Sequence, residues 1–355
     1  PTGFVSLCTQ NLTDPTIADG STAMDVALYT GNGSTQTISG LGFSPDWVWL
    51  KKRSGAADHY LYDQVRGATY RLYSNTADAE STSSTGLTAF TSDGFTVGSA
   101  NDVNQSSNTY VGWAWDAGTT TDTSNTDGSI TPTGVRANPS AGFSIVSYTG
   151  TGSNATIGHG LNATPDFYVV KRRSAADDWE CYHSALGATY YGKLNATDAF
   201  TTAGGTSRWN DTPPTNSVFS VGTTDNVNGS SSTYIAYCFA AVAGYSAFGS
   251  YTGNGSNDGP FLYTGFKPAF LIIKNTKSGV AEYWLMMDST RSPVNVVDEF
   301  LYPNGSGAEG TQYFETDFLS NGFKIRNSSR ADNYNNESYV YMAFAEHPFK
   351  TARAR

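Results

Sequence analysis

Short apolar stretches separated by turns recur along the chain, and their patterns predict strands rather than helices. In 44–54, SPDWVWLKKRS, four apolar residues follow Asp46 without a polar interruption, as in strands buried on both faces. In 109–118, TYVGWAWDAG, large and small apolar residues alternate, so one face belongs in a core and the other lets a second layer approach. No amphipathic pattern lasts longer than two helical turns. The patterns predict an all-β fold of antiparallel strands with negligible helix.

The same blocks occur three times in the same order, which predicts three tandem β-sandwich-like repeats of one unit. A Tyr-Thr-Gly turn marks each copy, as YTGNG at 29–33 and 251–255 and as YTGTG at 148–152. Asn-Gly populates positive φ at both central positions of a type I′ turn, so we expect each unit to begin with a β-hairpin.

The repeats define a predicted domain organisation. The second junction is short, so we expect the second and third repeats to pack together. The predicted segments are an N-terminal arm over 1–23, a first repeat over 24–118, a Thr/Ser/Gly/Pro linker over 119–142, a second repeat over 143–242, and a third repeat with a C-terminal tail over 243–355.

The composition agrees with this fold class and excludes several functions. Charged residues make up only 15% of the 355 residues, and the chain contains 22 Tyr and 37 Gly, as in turn-rich β proteins with uncharged polar surfaces. The net charge of −10 argues against binding to nucleic acid or to anionic lipid. Since no apolar run approaches the roughly 20 residues needed to span a bilayer, we also expect no membrane insertion.

No motif in the chain predicts an enzyme, a cofactor or a metal site. The four histidines share no ligand spacing, and 121–129 lacks the acidic residues that a calcium loop carries at its first and twelfth positions. The cysteine spacing shows no metal or redox pattern, and Cys238 is expected to be a small buried thiol. A glycosidase would need two carboxylates about 5–10 Å apart, for which Asp58, Asp63 and Glu180 are candidates.

Charged residues recur at equivalent places in the repeats. The basic runs 51–53 and 171–173 are interpreted as strand ends that emerge into solvent, with a subunit interface as the alternative. Two acidic residues each precede a basic one by three positions, and we expect them to form exposed ion pairs that close a turn and contribute about 0–1 kcal/mol. These pairs are Asp63 with Arg66 and Asp288 with Arg291.

The succession of blocks resembles a repeat domain found in structural proteins of tailed bacteriophages, especially marine ones. The resemblance is carried by the order YTGNG, PDWVWLKKRS, RGATY, DGFTVG and TYVGWAWDAG, and it covers nearly the whole chain. In longer members of that family this region follows a SPRY-type sandwich, so the resemblance implies that the chain is the C-terminal part of a larger protein. The resemblance implies a virion context and supplies no catalytic residues.

We therefore expect a virion structural protein of a tail fibre or another appendage, extracellular after release, that adheres to glycans on the host surface. Other virion proteins and a host glycan would be its partners, and we expect a homo-oligomer, a trimer if it is a fibre. Capsid decoration and cleavage of host polysaccharide are the alternatives. The rings expected to stack on sugars, with burial in the core as the competing role for each, are Tyr60, Tyr62, Trp179, Tyr182 and Trp284.

Overall fold

A computed structural model describes residues 16–202 and 204–347, and nearly all of its regular structure is antiparallel β-sheet. This confirms the predicted fold class. No helix in these two ranges is long and apolar enough to cross a membrane. The helical elements described are a 3-10 turn at Gly20–Thr22 and three short α-helices, α1 (Asn101–Asn104), α2 (Gly205–Trp209) and α3 (Asp225–Asn228).

Nine strands form what we call the first unit: β1 (Met24–Thr30), β2 (Gln36–Ser39), β3 (Trp47–Lys52), β4 (His59–Asp63), β5 (Tyr70–Tyr73), β6 (Ser81–Thr82), β7 (Leu87–Thr91), β8 (Gly94–Val97) and β9 (Thr109–Trp115). Its large sheet has the order β1–β9–β3–β4–β5–β6. Its small sheet has the order β2–β8–β7 and packs on the large one.

Nine further strands form the second unit: β10 (Thr121–Asp122), β11 (Gly134–Asn138), β12 (Phe143–Thr149), β13 (Ala155–Gly158), β14 (Phe167–Arg172), β15 (Trp179–His183), β16 (Gly192–Lys193), β17 (Val218–Val221) and β18 (Thr233–Phe239). The large sheet has the order β10–β11–β12–β18–β14–β15–β16, and β13 pairs with β17 in the small one. Because β10 and β11 lie within 119–142, the stretch predicted to be a linker extends this sheet.

Eight strands form the third unit: β19 (Ser246–Thr252), β20 (Phe261–Tyr263), β21 (Lys267–Asn275), β22 (Leu285–Asp288), β23 (Phe300–Leu301), β24 (Thr316–Leu319), β25 (Gly322–Ile325) and β26 (Ser338–His347). Its sheets have the orders β19–β26–β21–β22–β23 and β20–β25–β24. All three large sheets place the closing strand (β9, β18 or β26) between β1, β12 or β19 on one side and the apolar strand (β3, β14 or β21) on the other.

The large apolar faces of the three closing strands meet in one central core, to which every unit contributes. The ring of Trp47 stacks on Tyr237 of the second unit with centroids 4.5 Å apart, and Phe239 lies 5.8 Å from Phe344 of the third unit. The opposite faces, rich in small residues, lie under the small sheets. Each large sheet is therefore buried on both faces, which explains the uninterrupted apolar stretches in β3, β14 and β21.

The Tyr-Thr-Gly turn does not form the hairpin that the sequence predicts. β1 pairs with β9 whereas β2 pairs with β8, so the turn carries the chain from the large sheet to the small one. The buried side chain of Asn104 accepts a hydrogen bond from the amide of Asn32 at 3.0 Å and donates to the carbonyl of Gly98 at 2.7 Å. A buried side-chain amide thus replaces the partner strand of a hairpin. The equivalent amides in the other two units are those of Asn228 and Asn333.

The lysines at the end of each apolar strand are buried between units, so the prediction that these strand ends emerge into solvent is wrong for them. Each ammonium group donates a hydrogen bond to a main-chain carbonyl of a neighbouring unit. Burial lowers the pKa of each lysine to about 8. The three contacts run from Lys51 to Ser306 at 3.2 Å, from Lys171 to Ala77 at 3.2 Å, and from Lys274 to Thr197 at 2.8 Å.

The ion pair of the first unit is also buried rather than exposed. Nε of Arg66 lies 2.5 Å from a carboxylate oxygen of Asp63, and both side chains are inaccessible to solvent. The hydroxyl group of Tyr237, from the second unit, donates to the same carboxylate at 2.7 Å. This turn therefore connects two units and is not an exposed local ion pair.

The other two units make corresponding contacts. The buried pair of Asp288 and Arg291 in the third unit accepts a hydrogen bond from the indole of Trp113, in the first unit, at 3.0 Å. In the second unit His183 takes the place of the acidic residue, and its Nε2 lies 3.2 Å from the carbonyl oxygen of Tyr341 in the third unit. The three turns thus link the units in a closed cycle.

Removing the hydroxyl group of Tyr237 tests this cycle. We expect Tyr237→Phe to lower the free energy of unfolding by about 2 kcal/mol, because a buried carboxylate loses a charge-assisted hydrogen bond. The measurement is urea unfolding, with Tyr70→Phe as the control because the ring of Tyr70 is 39% exposed. Equal stability of Tyr237→Phe and wild type would contradict the importance of this contact.

Candidate ligand-binding cleft

An open cleft of about 420 Å³ lies at the outer edge of the first unit, beside a loop of the third unit. Its volume is within the range of small-molecule sites, roughly 300–1,000 Å³. Ala56 and Ala57 form part of its wall. The other seven lining residues carry side-chain hydrogen-bonding groups: Lys52, Asp58, Tyr60, Asn101, Asp102, Gln105 and Ser306.

Strand alternation in β4 and β5 places the aromatic wall of the cleft. Tyr60 lies in the core between the two sheets of the first unit, which we call its outer core. The next residue, Leu61, points to the opposite face and lies in the central core. The guanidinium group of Arg71 lies 5.4 Å from the ring centroid of Tyr60 and 5.5 Å from that of Tyr73. It also binds Asp102 at 2.6 Å. Burial raises the pKa of Tyr60, so its hydroxyl group stays protonated and can donate a hydrogen bond.

Two stacked tyrosines hold α1, which supplies the opposite wall. The rings of Tyr29 and Tyr110 are 5.1 Å apart. The hydroxyl group of Tyr29 donates to the carbonyl of Val103 at 2.7 Å, and that of Tyr110 accepts from the amide of Gln105 at 2.9 Å. A Cβ on Gly31 would lie 2.2 Å from the carbonyl oxygen of Gln105, so only glycine allows this approach.

The cleft offers both hydrogen-bond donors and acceptors. Nζ of Lys52 donates to Gln105 at 2.7 Å, and the amide of Asn75 donates to Asp58 at 2.7 Å. One ammonium group, two carboxylates and two amides around a phenol ring can bind several hydroxyl groups of one ligand. The arrangement therefore suits an uncharged polyhydroxyl compound.

The described part of the chain contains no group of three His, Cys, Asp or Glu side chains placed to hold a metal ion. In the stretch that partly matches a calcium loop, Asn125 donates to Asp127 at 2.9 Å on the exposed surface. Cys238 is a buried free thiol, as predicted, and so is Cys181. Cys8 lies outside the described residues.

The structure buries all five rings that the sequence singles out for sugar stacking, and only Tyr60 lines the cleft. Tyr62 and Tyr182 lie in the outer cores of the first and second units. The indoles of Trp179 and Trp284 lie between units and donate to main-chain carbonyls of the preceding unit at 2.7 and 2.9 Å. The other four rings leave almost no face open to a ligand, because each fills a core or an interface between units.

The three candidate carboxylates lie in separate environments. Asp58 lines the cleft, whereas Asp63 is held in the buried pair with Arg66. Glu180 is buried in the second unit, 3.4 Å from Arg208. The structure therefore does not place these carboxylates in one cleft, as the pair of a glycosidase would be.

Sequence reasoning missed the residues that complete the cleft, because they come from distant segments. Ser306 belongs to the third unit, and Asp102 belongs to α1. A comparison of equivalent positions would have pointed to the site, since charge and ring character change there between repeats. The residues equivalent to Tyr60 and Arg71 in the second unit are Glu180 and Tyr191.

A second cleft of about 420 Å³ lies between the second and third units. At the corresponding positions of the other two interfaces, Arg173 binds Glu80 and Arg53 binds Glu309, each at 2.8 Å. Here Phe200 stands where those glutamates stand. Only five of its eleven lining residues have polar side chains, and Ser278–Ala281 contributes mostly small ones. The cleft of the first unit has the larger share of polar side chains among its lining residues.

The sequence model of a family described as a domain of unknown function, DUF7483, matches residues 19–348. The matched region includes all strands of the three units. No curated protein matches the chain.

The buried carboxyl group of Glu180 makes stability depend on pH. Burial raises its pKa from 4.5 to about 7, against the opposing charge of Arg208. Between these pH values the folded state holds a proton that the unfolded state has lost. The free energy of unfolding therefore falls as the pH rises towards 7, and the stabilisation by this proton is lost above that pH.

Between about pH 5 and pH 8, we expect the free energy of unfolding of wild type to fall by about 2–3 kcal/mol relative to that of Glu180→Gln. Urea unfolding at both pH values measures this, with the exposed Asp93→Asn as the control. A difference between wild type and Glu180→Gln that does not change with pH would contradict the assignment.

Proposed function

The chain belongs to the family of the domain of unknown function DUF7483, and we propose that this member is a bacteriophage structural protein that binds glycans on the host surface. Within a particle, a tail fibre or another appendage is the location that this role requires. Other virion proteins would hold it there, and it would reach the host after release.

The cleft of the first unit carries the adhesive part of the proposal. Glycans expose many hydroxyl groups on a small surface, and the cleft presents ammonium, carboxylate, amide and phenol groups within about 420 Å³. It is open, so it can admit one sugar of a longer chain. The chain has a net charge of −10, which favours neutral over anionic glycans.

The virion context rests on the resemblance of the repeated blocks to a domain of tailed-phage structural proteins. The packing is compatible with that role, because the central core and the buried lysines join all three units. Separating the units would expose this core, and buried contacts of this kind slow unfolding. Such resistance suits a protein that works outside a cell.

Capsid decoration and depolymerase activity remain the alternatives. A decoration protein would need no ligand cleft, and a depolymerase would need two carboxylates facing one sugar. Immunogold electron microscopy of native particles separates the locations. Gold at the tail or its fibres supports adhesion, an even distribution over the head supports decoration, and particles without gold contradict the virion assignment.

We expect Lys52→Ala combined with Gln105→Ala to weaken glycan binding at least about tenfold, because two polar groups leave the cleft. Both side chains are partly or fully exposed, so the fold should be kept. The measurement is binding to a panel of purified polysaccharides from bacterial surfaces, with the surface variant Lys277→Ala as the control. Unchanged binding by the double variant would remove the cleft from the proposal.

A further inference from the structure

The third unit carries an exposed aromatic surface beside strands β22 and β23. The rings of Tyr283 and Tyr302 stack with centroids 4.5 Å apart. Tyr302 lies 6.2 Å from Phe314, which in turn lies 4.7 Å from Tyr313. Tyr283 is 43% exposed and Tyr313 is 64% exposed. We call Tyr283, Tyr302 and Tyr313 the tyrosine surface, and the buried Phe314 packs against two of them.

The other units show what normally occupies the position of Tyr283. In each unit an asparagine side chain accepts a hydrogen bond from the main chain of the strand after the apolar strand. In the first unit the amide of Asn75 also donates to Asp58, and in the second unit that of Asn195 donates to Asp178, each at 2.7 Å. Each of these carboxylates belongs to the residue just before the one whose amide the asparagine binds, and in the third unit that residue is Tyr283.

The presence of Tyr283 in place of an aspartate leaves a buried hydrogen-bond donor of the third unit without a partner. Nδ2 of Asn304, the third asparagine of the set, is inaccessible and has no hydrogen-bond partner among the described residues. Buried polar groups are nearly always satisfied, and leaving one unpaired costs stability. The third unit therefore gives up a hydrogen bond that its two sister units keep and gains an exposed ring.

A local rule that a protein breaks at one of several equivalent positions is expected at functional or strained sites. We propose that the tyrosine surface is a second carbohydrate site, which stacks on the apolar faces of pyranose rings in a neutral polysaccharide. The proposal rests on the glycan-binding function proposed for the cleft of the first unit, but it involves different residues and a different kind of contact.

The chemistry of the surface favours a sugar chain over other ligands. Tyrosine combines a flat apolar ring with a hydroxyl group that binds polar ligands, as a pyranose ring with its hydroxyl groups requires. Glu282, next to Tyr283, adds a hydrogen-bond acceptor, and Arg330 is close enough to interact with its charge. A local carboxylate and the net charge of −10 disfavour anionic polymers.

The repeats supply the test variant. Tyr283→Asp introduces the residue that both sister units have, so Asn304 regains a partner while the ring is lost. Tyr283→Phe is the matched control that keeps the ring. Wild type, both variants and the Lys52→Ala/Gln105→Ala double variant are compared on one panel of purified neutral polysaccharides. Thermal unfolding and sedimentation are measured for each protein.

We expect Tyr283→Asp to bind about tenfold more weakly than wild type, and Tyr283→Phe to bind within about threefold of it. The unfolding midpoint of Tyr283→Asp should stay within about 3 °C of wild type, because the recovered hydrogen bond offsets the lost stacking. This excludes unfolding as the cause of weaker binding.

The outcomes separate the two proposals. Wild-type binding by Tyr283→Asp, together with weak binding by the cleft variant, would overturn the second site and leave the proposed function intact. A changed oligomeric state of Tyr283→Asp with unchanged binding would identify the surface as a contact between subunits and also overturn it. Failure of wild type to bind any polysaccharide would overturn both.

Discussion

The structure depends on the burial of three apolar sheet faces against one another. Each apolar strand has large side chains on both faces, and the small sheet of its own unit covers only one of them. The other face has to be covered by the neighbouring units, and it forms the central core with them. Repeat proteins behave in this way when one unit cannot bury its hydrophobic face alone. Here the three units close on themselves instead of forming an open row.

Polar contacts determine how the units fit around that core. Each lysine at the end of an apolar strand binds a carbonyl of one neighbouring unit. The last residue of the next strand (β4, β15 or β22) contacts the closing strand of the other neighbouring unit. Removing one partner from a buried charge costs roughly 3–5 kcal/mol. A unit that docked in another orientation would leave these charges unpaired, so the contacts favour one arrangement.

The sequence predicted the fold class and the buried strands well, because apolar periodicity depends on local residues alone. It failed where the partner is distant. The Asn-Gly turn has the residues of a hairpin, but Asn104 reaches it from more than 70 positions away and replaces the partner strand. Lys51 and Asp63 look like surface residues until the neighbouring unit covers them.

For the same reason Tyr60 was found and Ser306 was not, since the cleft joins segments of two units. The exposed Tyr283 differs from its equivalents, and only the contacts of Asn304 show why that difference matters.

Differential scanning calorimetry of the whole chain tests the shared core most directly. If the central core joins the units, they unfold together, and the van't Hoff enthalpy equals the calorimetric enthalpy. If each unit has a sufficient core of its own, the units unfold separately, and the ratio of the two enthalpies falls to about one third. A ratio near one supports the account, whereas a ratio near one third, or three resolved transitions, contradicts it.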